Sequence, residues 1–114
     1  MRKQKTSLAE EILAMLADRW TLMTLEALEK GEKRFSELRR LVTGVSQKML
    51  TQTLRQMERD GLVTRKVYAE VPPRVEYKLT KLGLSLGEAA CPLWLWAEKH
   101  GKAVLAARAK FKMS

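Results

Sequence analysis

The sequence predicts a mainly helical α+β domain: four helices, a β-hairpin and a long C-terminal helix. Three observations carry this. Apolar residues recur at helical intervals up to Asp60. The period drops to two after Gly61. From Leu82 onward an apolar stripe follows alternating spacings of four and three. A chain of 114 residues has room for one core, so residues 1–114 are expected to form a single domain.

Ser7 and Glu10 stand at capping-box spacing, and Ile12, Leu13 and Leu16 follow at helical intervals, predicting a first helix over residues 8–17. Asp18 can cap a second helix beginning near Arg19. Trp20, Leu22, Met23, Leu25, Ala27 and Leu28 leave that helix little purely polar surface, so it is expected centrally in the fold, ending at Gly31. Lys33-Arg34-Phe35 is expected as a single extended rung. Ser36 is expected to cap a short third helix with Leu38, Leu41 and Val42 on one face. Thr43-Gly44-Val45 reads as a tight turn. Ser46 then caps a fourth helix running to Asp60, and Gly61 stops it. Two helices joined by a Gly-containing turn of this length make a helix-turn-helix pattern.

Beyond Gly61, Val63, Arg65 and Val67 alternate with Thr64, Lys66 and Tyr68, and Val75, Tyr77 and Leu79 alternate with Arg74, Glu76 and Lys78. Pro72 and Pro73 cannot sit inside a sheet, so the two runs form a hairpin with a stiff loop over residues 69–73. Thr80 caps a C-terminal helical region that is expected to break or kink at Pro92 and to be interrupted near Gly101. Leu82, Leu86, Ala89, Leu93 and Trp96 have the heptad spacing of a helix–helix seam. The stripe can cover the chain's own core or a second copy. So many large apolar side chains on a terminal helix favour a shared seam, with Leu8 and Ile12 of the first helix beside it.

Lys and Arg number 22 against 13 Asp and Glu, a net charge of +9 that favours a polyanionic partner, nucleic acid or an acidic membrane. One cysteine (Cys91) and one histidine (His100) allow neither an intrachain disulfide nor a cysteine-rich zinc site. No nucleophile–base pair or paired carboxylates stand out, so an enzyme, a cofactor and a metal site are not expected. The charge-free apolar run at 89–97 is far shorter than the ~20 residues that span a bilayer. Glu10 and Glu11 interrupt any leader after the basic Arg2, Lys3 and Lys5. The expectation is a cytoplasmic protein without membrane contact.

At 100° per residue the fourth helix divides cleanly. Leu50, Leu54 and Met57 share one sector, with Met49 at its margin, while Lys48, Thr51, Gln52, Arg55 and Arg59 share the other. Polar helix faces are commonly only solvated. Here, however, residues 46–56 contain no acid, the preceding helix carries Arg39 and Arg40, and the hairpin bears Arg65, Lys66 and Arg74. Arg and Gln suit bidentate contacts with base edges. Together these elements predict a winged helix-turn-helix with a two-stranded wing and double-stranded DNA as its partner. Ser46, Gln47, Lys48, Thr51, Gln52 and Arg55 are the candidate recognition-helix contacts. Arg34, Ser36 and Arg39 are candidates for the DNA backbone, and Arg65, Lys66, Tyr68 and Arg74 for the wing. Two other readings stay open. A winged helix used only for protein interaction needs no acid-free helix face. A basic RNA-associated protein favours exposed aromatic platforms, and Tyr68 alone is a plausible one.

The residues Trp20 and Gly31, then Arg34-Phe35-Ser36-Glu37-Leu38, Ser46-Gln47-Lys48-Met49-Leu50-Thr51, Asp60-Gly61-Leu62-Val63-Thr64-Arg65 and Val71-Pro72-Pro73-Arg74-Val75-Glu76-Tyr77-Lys78-Leu79-Thr80 closely resemble the HxlR-type transcriptional regulators. The resemblance runs over residues 7–96 and leaves a basic extension at 101–114. PadR- and MarR-type winged helices share the topology without this wing sequence. The resemblance implies a prokaryotic homodimer on an inverted-repeat operator, joined by a long C-terminal dimerisation helix and the first helix. The seam residues would be Leu8, Ile12, Leu82, Leu86, Ala89, Leu93 and Trp96. A twofold dimer would set two fourth helices one DNA turn apart, ~34 Å. Several family members sense oxidants through a cysteine just ahead of the first helix; Ser7 stands there, so thiol sensing does not carry over to that position. Cys91 is expected as a small buried hydrophobe, with no cation beside it in sequence to favour a thiolate. A small-molecule effector is left open. Lys102, Arg108, Lys110 and Lys112 are expected on a solvated helix end rather than on phosphates.

Overall fold

Local capping chemistry sets where the helices begin. In the computed structural model, which describes residues 7–113, the order is α1 (Leu8–Leu16), α2 (Arg19–Leu28), β1 (Lys33–Arg34), α3 (Phe35–Leu41), α4 (Gln47–Arg59), β2 (Val63–Tyr68), β3 (Arg74–Leu79) and α5 (Lys81–Met113). Arg2, Lys3 and Lys5 lie outside the described residues. Ser7 Oγ accepts the Glu10 amide at 3.1 Å while the Glu10 carboxylate accepts the Ser7 amide at 3.2 Å, closing the capping box of α1. Asp18 accepts the Trp20 amide at 2.9 Å, Ser46 the Met49 amide at 3.1 Å and Thr80 the Gly83 amide at 3.0 Å.

Ser36 does not cap α3. The cap is Arg34, and Ser36 lies inside the first turn. Pairing of β1 with β3 holds Arg34 extended opposite Glu76, and the Glu37 carboxylate accepts the Arg34 amide at 2.9 Å, so the helix has already begun at Phe35.

The hairpin forms as expected, and its register runs from Val63 opposite Leu79 to Tyr68 opposite Arg74. The extended rung at Lys33–Arg34 adds a third antiparallel strand, in the order β1-β3-β2. Val63, Tyr77 and Leu79 bury one face of the sheet against Leu25, Leu28, Leu38, Leu50, Leu54 and Met57. Helix α2 is central, as expected, yet its buried face holds Thr21 and Thr24 beside Leu25 and Leu28, whereas Trp20, Leu22 and Met23 are half-buried. Gly44 (φ 86°) and Gly61 (φ 76°) occupy left-handed backbone where the chain turns before α4 and after it.

The C-terminal region is one continuous helix: of the break or kink expected at Pro92 there is no break, and the interruption expected near Gly101 is absent. Its 33 residues span about 50 Å. Pro92 removes a single rung, to the Glu88 carbonyl, and both residues lie on the exposed side, where water can satisfy that carbonyl. Gly101 is flanked by Ala103, Ala106, Ala107 and Ala109, whose helix preference carries the backbone through. The buried residues of α5 are Gly83, Gly87 and Ala90, all in its first three turns. Lacking bulk, they let the helix axis approach the core closely. Among the described residues, no helix is long and apolar enough to cross a membrane.

Candidate nucleic-acid interface

Helix α4 buries Leu50, Thr53, Leu54 and Met57 and exposes Gln47, Lys48, Thr51, Gln52 and Arg55. Ser46 is exposed too, with its oxygen committed to the cap. The Thr51 hydroxyl donates to the Gln47 carbonyl at 2.8 Å, whereas Lys48, Gln52 and Arg55 make no side-chain hydrogen bond or ion pair among the described residues. Three donor side chains on one rigid face are therefore available to a ligand.

Beside that face runs a groove of about 640 Å³. Arg34 and Ser36 line it from the start of α3, Gln47 and Thr51 from α4, and Val71, Pro72, Pro73 and Arg74 from the wing. It brings together five of the candidate residues, Arg34, Ser36, Gln47, Thr51 and Arg74, whose donors suit an anionic strand, with Glu70, paired to Arg74, also on its lining. Arg39 is exposed on α3 and does not line the groove.

The pleat separates the wing cations. Lys66, Tyr68, Arg74 and Glu76 share one face, and Arg65 lies on the other, opposite Tyr77. Arg65 Nε approaches Glu58 at 3.5 Å. Arg74 lies 3.1 Å from Glu70 and 3.0 Å from Glu76, and its guanidinium sits 4.0 Å from the Tyr68 ring centroid. The Lys66 ammonium lies 4.9 Å from the same centroid. Much of the wing's positive charge is thus offset locally, and Lys66 and Lys78, exposed on the same face, carry what remains. Sequence reasoning missed Glu58, Glu70 and Glu76 as partners; the alternation of the strands pointed to Glu76, but Glu58 meets Arg65 only because α4 ends against β2. Burial pushes the Tyr77 phenol above its ordinary range, a shift opposed by Arg65 and reinforced by Glu58.

A second groove, about 700 Å³, lies between α1, the end of α4 and α5. Leu8, Ile12, Leu82, Leu86 and Ala89 line it, with Glu11, Arg59 and Asp60 at its rim. Leu93 and Trp96 lie farther along α5, exposed. Cys91, expected to be buried, is exposed: it sits one position past the core-facing Ala90 and so turns about 100° outward, to the edge of a small cleft with Leu22, Leu25 and Trp94.

A helix-turn-helix whose second helix exposes a polar face free of acids over residues 46–56, flanked by a β-hairpin, defines a winged-helix DNA-binding protein. The HxlR-like helix-turn-helix family matches residues 15–104, and the chain belongs to it. It is 45% identical over 100 residues to the uncharacterized HTH-type transcriptional regulator YtfH of Escherichia coli, covering 88% of this chain and 79% of that protein. To YtcD of Bacillus subtilis it is 43% identical over 101 residues, covering 88% and 80%. Among solved structures, the transcriptional regulator ytfH from Salmonella typhimurium superposes with a TM-score of 0.84 at 43% identity, over 90% of this chain and 91% of that one. The redox regulator HypR in its reduced form gives 0.79 at 36% identity, over 88% and 99%. The family comprises transcriptional regulators, not enzymes, and this chain is a transcriptional regulator with a helix-turn-helix DNA-binding fold.

Proposed function

We propose that the protein regulates transcription by binding an inverted-repeat operator in duplex DNA as a homodimer. The observation that carries this reading is the exposed, acid-free face of α4 beside the groove that leads to the wing. With α4 in the major groove, Lys48, Gln52 and Arg55 meet base edges. Arg34, Ser36, Gln47 and Thr51 then straddle the phosphate strand between α4 and the wing, Arg39 lies on the flanking backbone, and Lys66 approaches the next phosphates. Arg65, Tyr68 and Arg74 chiefly shape the wing, because their charges and ring are engaged with one another and with carboxylates.

The dimer is supported by apolar surface that a single copy leaves in water. Leu93 is 64% exposed and Trp96 55%, and both continue the stripe that starts in the α1–α5 groove. Selection from a random duplex pool at fixed salt is expected to enrich an inverted repeat. Sedimentation equilibrium at micromolar concentration is expected to return twice the 13.1 kDa chain mass. A pool that stays random, or a single-chain mass, overturns the corresponding half of the proposal.

A further inference from the structure

Among the described residues that line the groove between α4 and the wing, the one carboxylate is Glu70. Its two oxygens lie 3.1 and 3.2 Å from Arg74 Nη1. A second carboxylate, Glu76, stands at the middle of the sheet face turned away from the core. The register sets it opposite Arg34 on β1 and Lys66 on β2, and the pleat brings Arg74 and Lys78 to the same face. Of these four cations Glu76 engages Arg74, 3.0 Å from Nε. Arg34, Lys66 and Lys78 make no ion pair among the described residues. Arg74 Nε is buried and meets Glu76 without the alignment of a hydrogen bond, so the contact neutralises charge rather than satisfying a donor.

Both acids therefore converge on one cation of the groove and leave its neighbours free. Arg74 with Glu70 and Glu76 carries a net charge of −1, where the arginine alone would carry +1. A phosphate strand in the groove gains no attraction at this point. Resting on the duplex-binding reading above, we propose that Glu70 and Glu76 set the affinity for DNA of any sequence, by withholding Arg74 from the phosphates. A chain of net charge +9 is drawn to every duplex alike. Phosphate contacts carry no sequence information, so muting one of them lessens retention on bulk DNA and leaves the base-reading face of α4 untouched.

The test is the double variant Glu70→Gln/Glu76→Gln, which keeps side-chain size and frees the guanidinium. On a duplex of arbitrary sequence it is expected to bind about eightfold tighter than the parent at roughly 0.1 M salt, with a salt slope steeper by about one unit, as one added phosphate contact requires. Adding Arg74→Ala is expected to return the slope to that of the parent, because the gain runs through that side chain. Glu98→Gln, on exposed α5, removes an acid away from the wing and is expected to leave the slope unchanged. Glu70→Gln alone, on the exposed loop, is expected to move affinity and slope in the same direction by less, and it serves should the double variant fail to fold. Unchanged or weaker binding by the Gln variants, or a gain that survives Arg74→Ala, overturns this proposal alone. A parent protein that binds no duplex overturns the duplex reading and this proposal with it.

Discussion

Gly83→Ala is expected to cost the fold about 2 kcal/mol, although alanine is the better helix former. A methyl on Gly83 would overlap the backbone carbonyl oxygen of Leu62 and stand 3.0 Å from Leu79 Cδ2. That carbonyl cannot swing aside as a side chain does, because it accepts the Thr80 amide at 3.0 Å and leads directly into β2. Helix α5 and the base of the wing must separate by roughly 1 Å to restore ordinary contact. Overpacking of this kind costs about 1–3 kcal/mol. Weakening the Thr80 hydrogen bond adds about 1 kcal/mol, and the exchange of glycine for alanine in a helix returns about 1 kcal/mol. For a domain of this size the balance lowers Tm by about 10 °C. Two glycines of the same helix serve as controls. A methyl on Gly87 meets only the carboxylate end of Glu29, 2.7 Å from Oε1, which can turn away, and one on Gly101 meets nothing within 4 Å. Gly87→Ala is expected to be near neutral, and Gly101→Ala neutral or stabilising. Thermal unfolding followed by circular dichroism, with urea titrations for the free energies, makes the comparison. A Gly83→Ala protein as stable as Gly101→Ala would refute the close approach of α5 to the wing.

Thr24→Val is expected to stabilise the domain by about 1 kcal/mol, since Thr24 Oγ1 is buried with no hydrogen-bond partner among the described residues; a lowered urea midpoint would show that the hydroxyl is satisfied. Gln52→Ala and Arg55→Ala are each expected to cost ~1–3 kcal/mol on the operator and little on scrambled duplex. Lys66→Ala is expected to weaken both duplexes alike and reduce the salt slope by about one unit, and Arg74→Ala by less, because Glu70 and Glu76 already offset its charge. Binding titrations across a salt series separate these, and a wing variant that alone changes the operator preference would reverse the assignment. The raised Tyr77 phenol means that the unfolded chain loses its proton first, so stability holds below pH of about 10 and falls as pH rises above it. Tyr77→Phe is expected to flatten that fall; urea midpoints on both sides of the ordinary tyrosine range check it.

What could be read without coordinates was local chemistry and period. Ser7, Asp18, Ser46 and Thr80 cap their helices as residue type and spacing predict, because a cap involves atoms only two or three residues apart. The polar face of α4 and the alternation along each hairpin strand follow from angular arithmetic on a single element. Of the misreadings, the cap of α3 involved competition with a distant strand, whereas those at Pro92, Gly101 and Cys91 arose within α5 itself. Ser36 lost the cap because pairing with β3 had already fixed Arg34. Pro92 and Gly101 looked like breaks because their local preferences were weighed without the rest of the helix, whose alanines and exposed carbonyls absorb both.

By itself, then, the sequence determined a winged helix with a basic, acid-free reading face and an apolar stripe on its last helix, since composition and spacing are properties of the chain alone. Only the tertiary structure decided which charges are free to meet a ligand. Arg65 and Arg74 count as cations in the composition, yet Glu58 arrives from another element, and Glu70 and Glu76 are aimed at Arg74 by the pleat and the loop. It also decided how far the apolar stripe of α5 runs, because a stripe becomes a continuous surface only when the helix beneath it is unbroken. Electrostatic and packing energies depend on distances through space, and separation along the chain does not supply them.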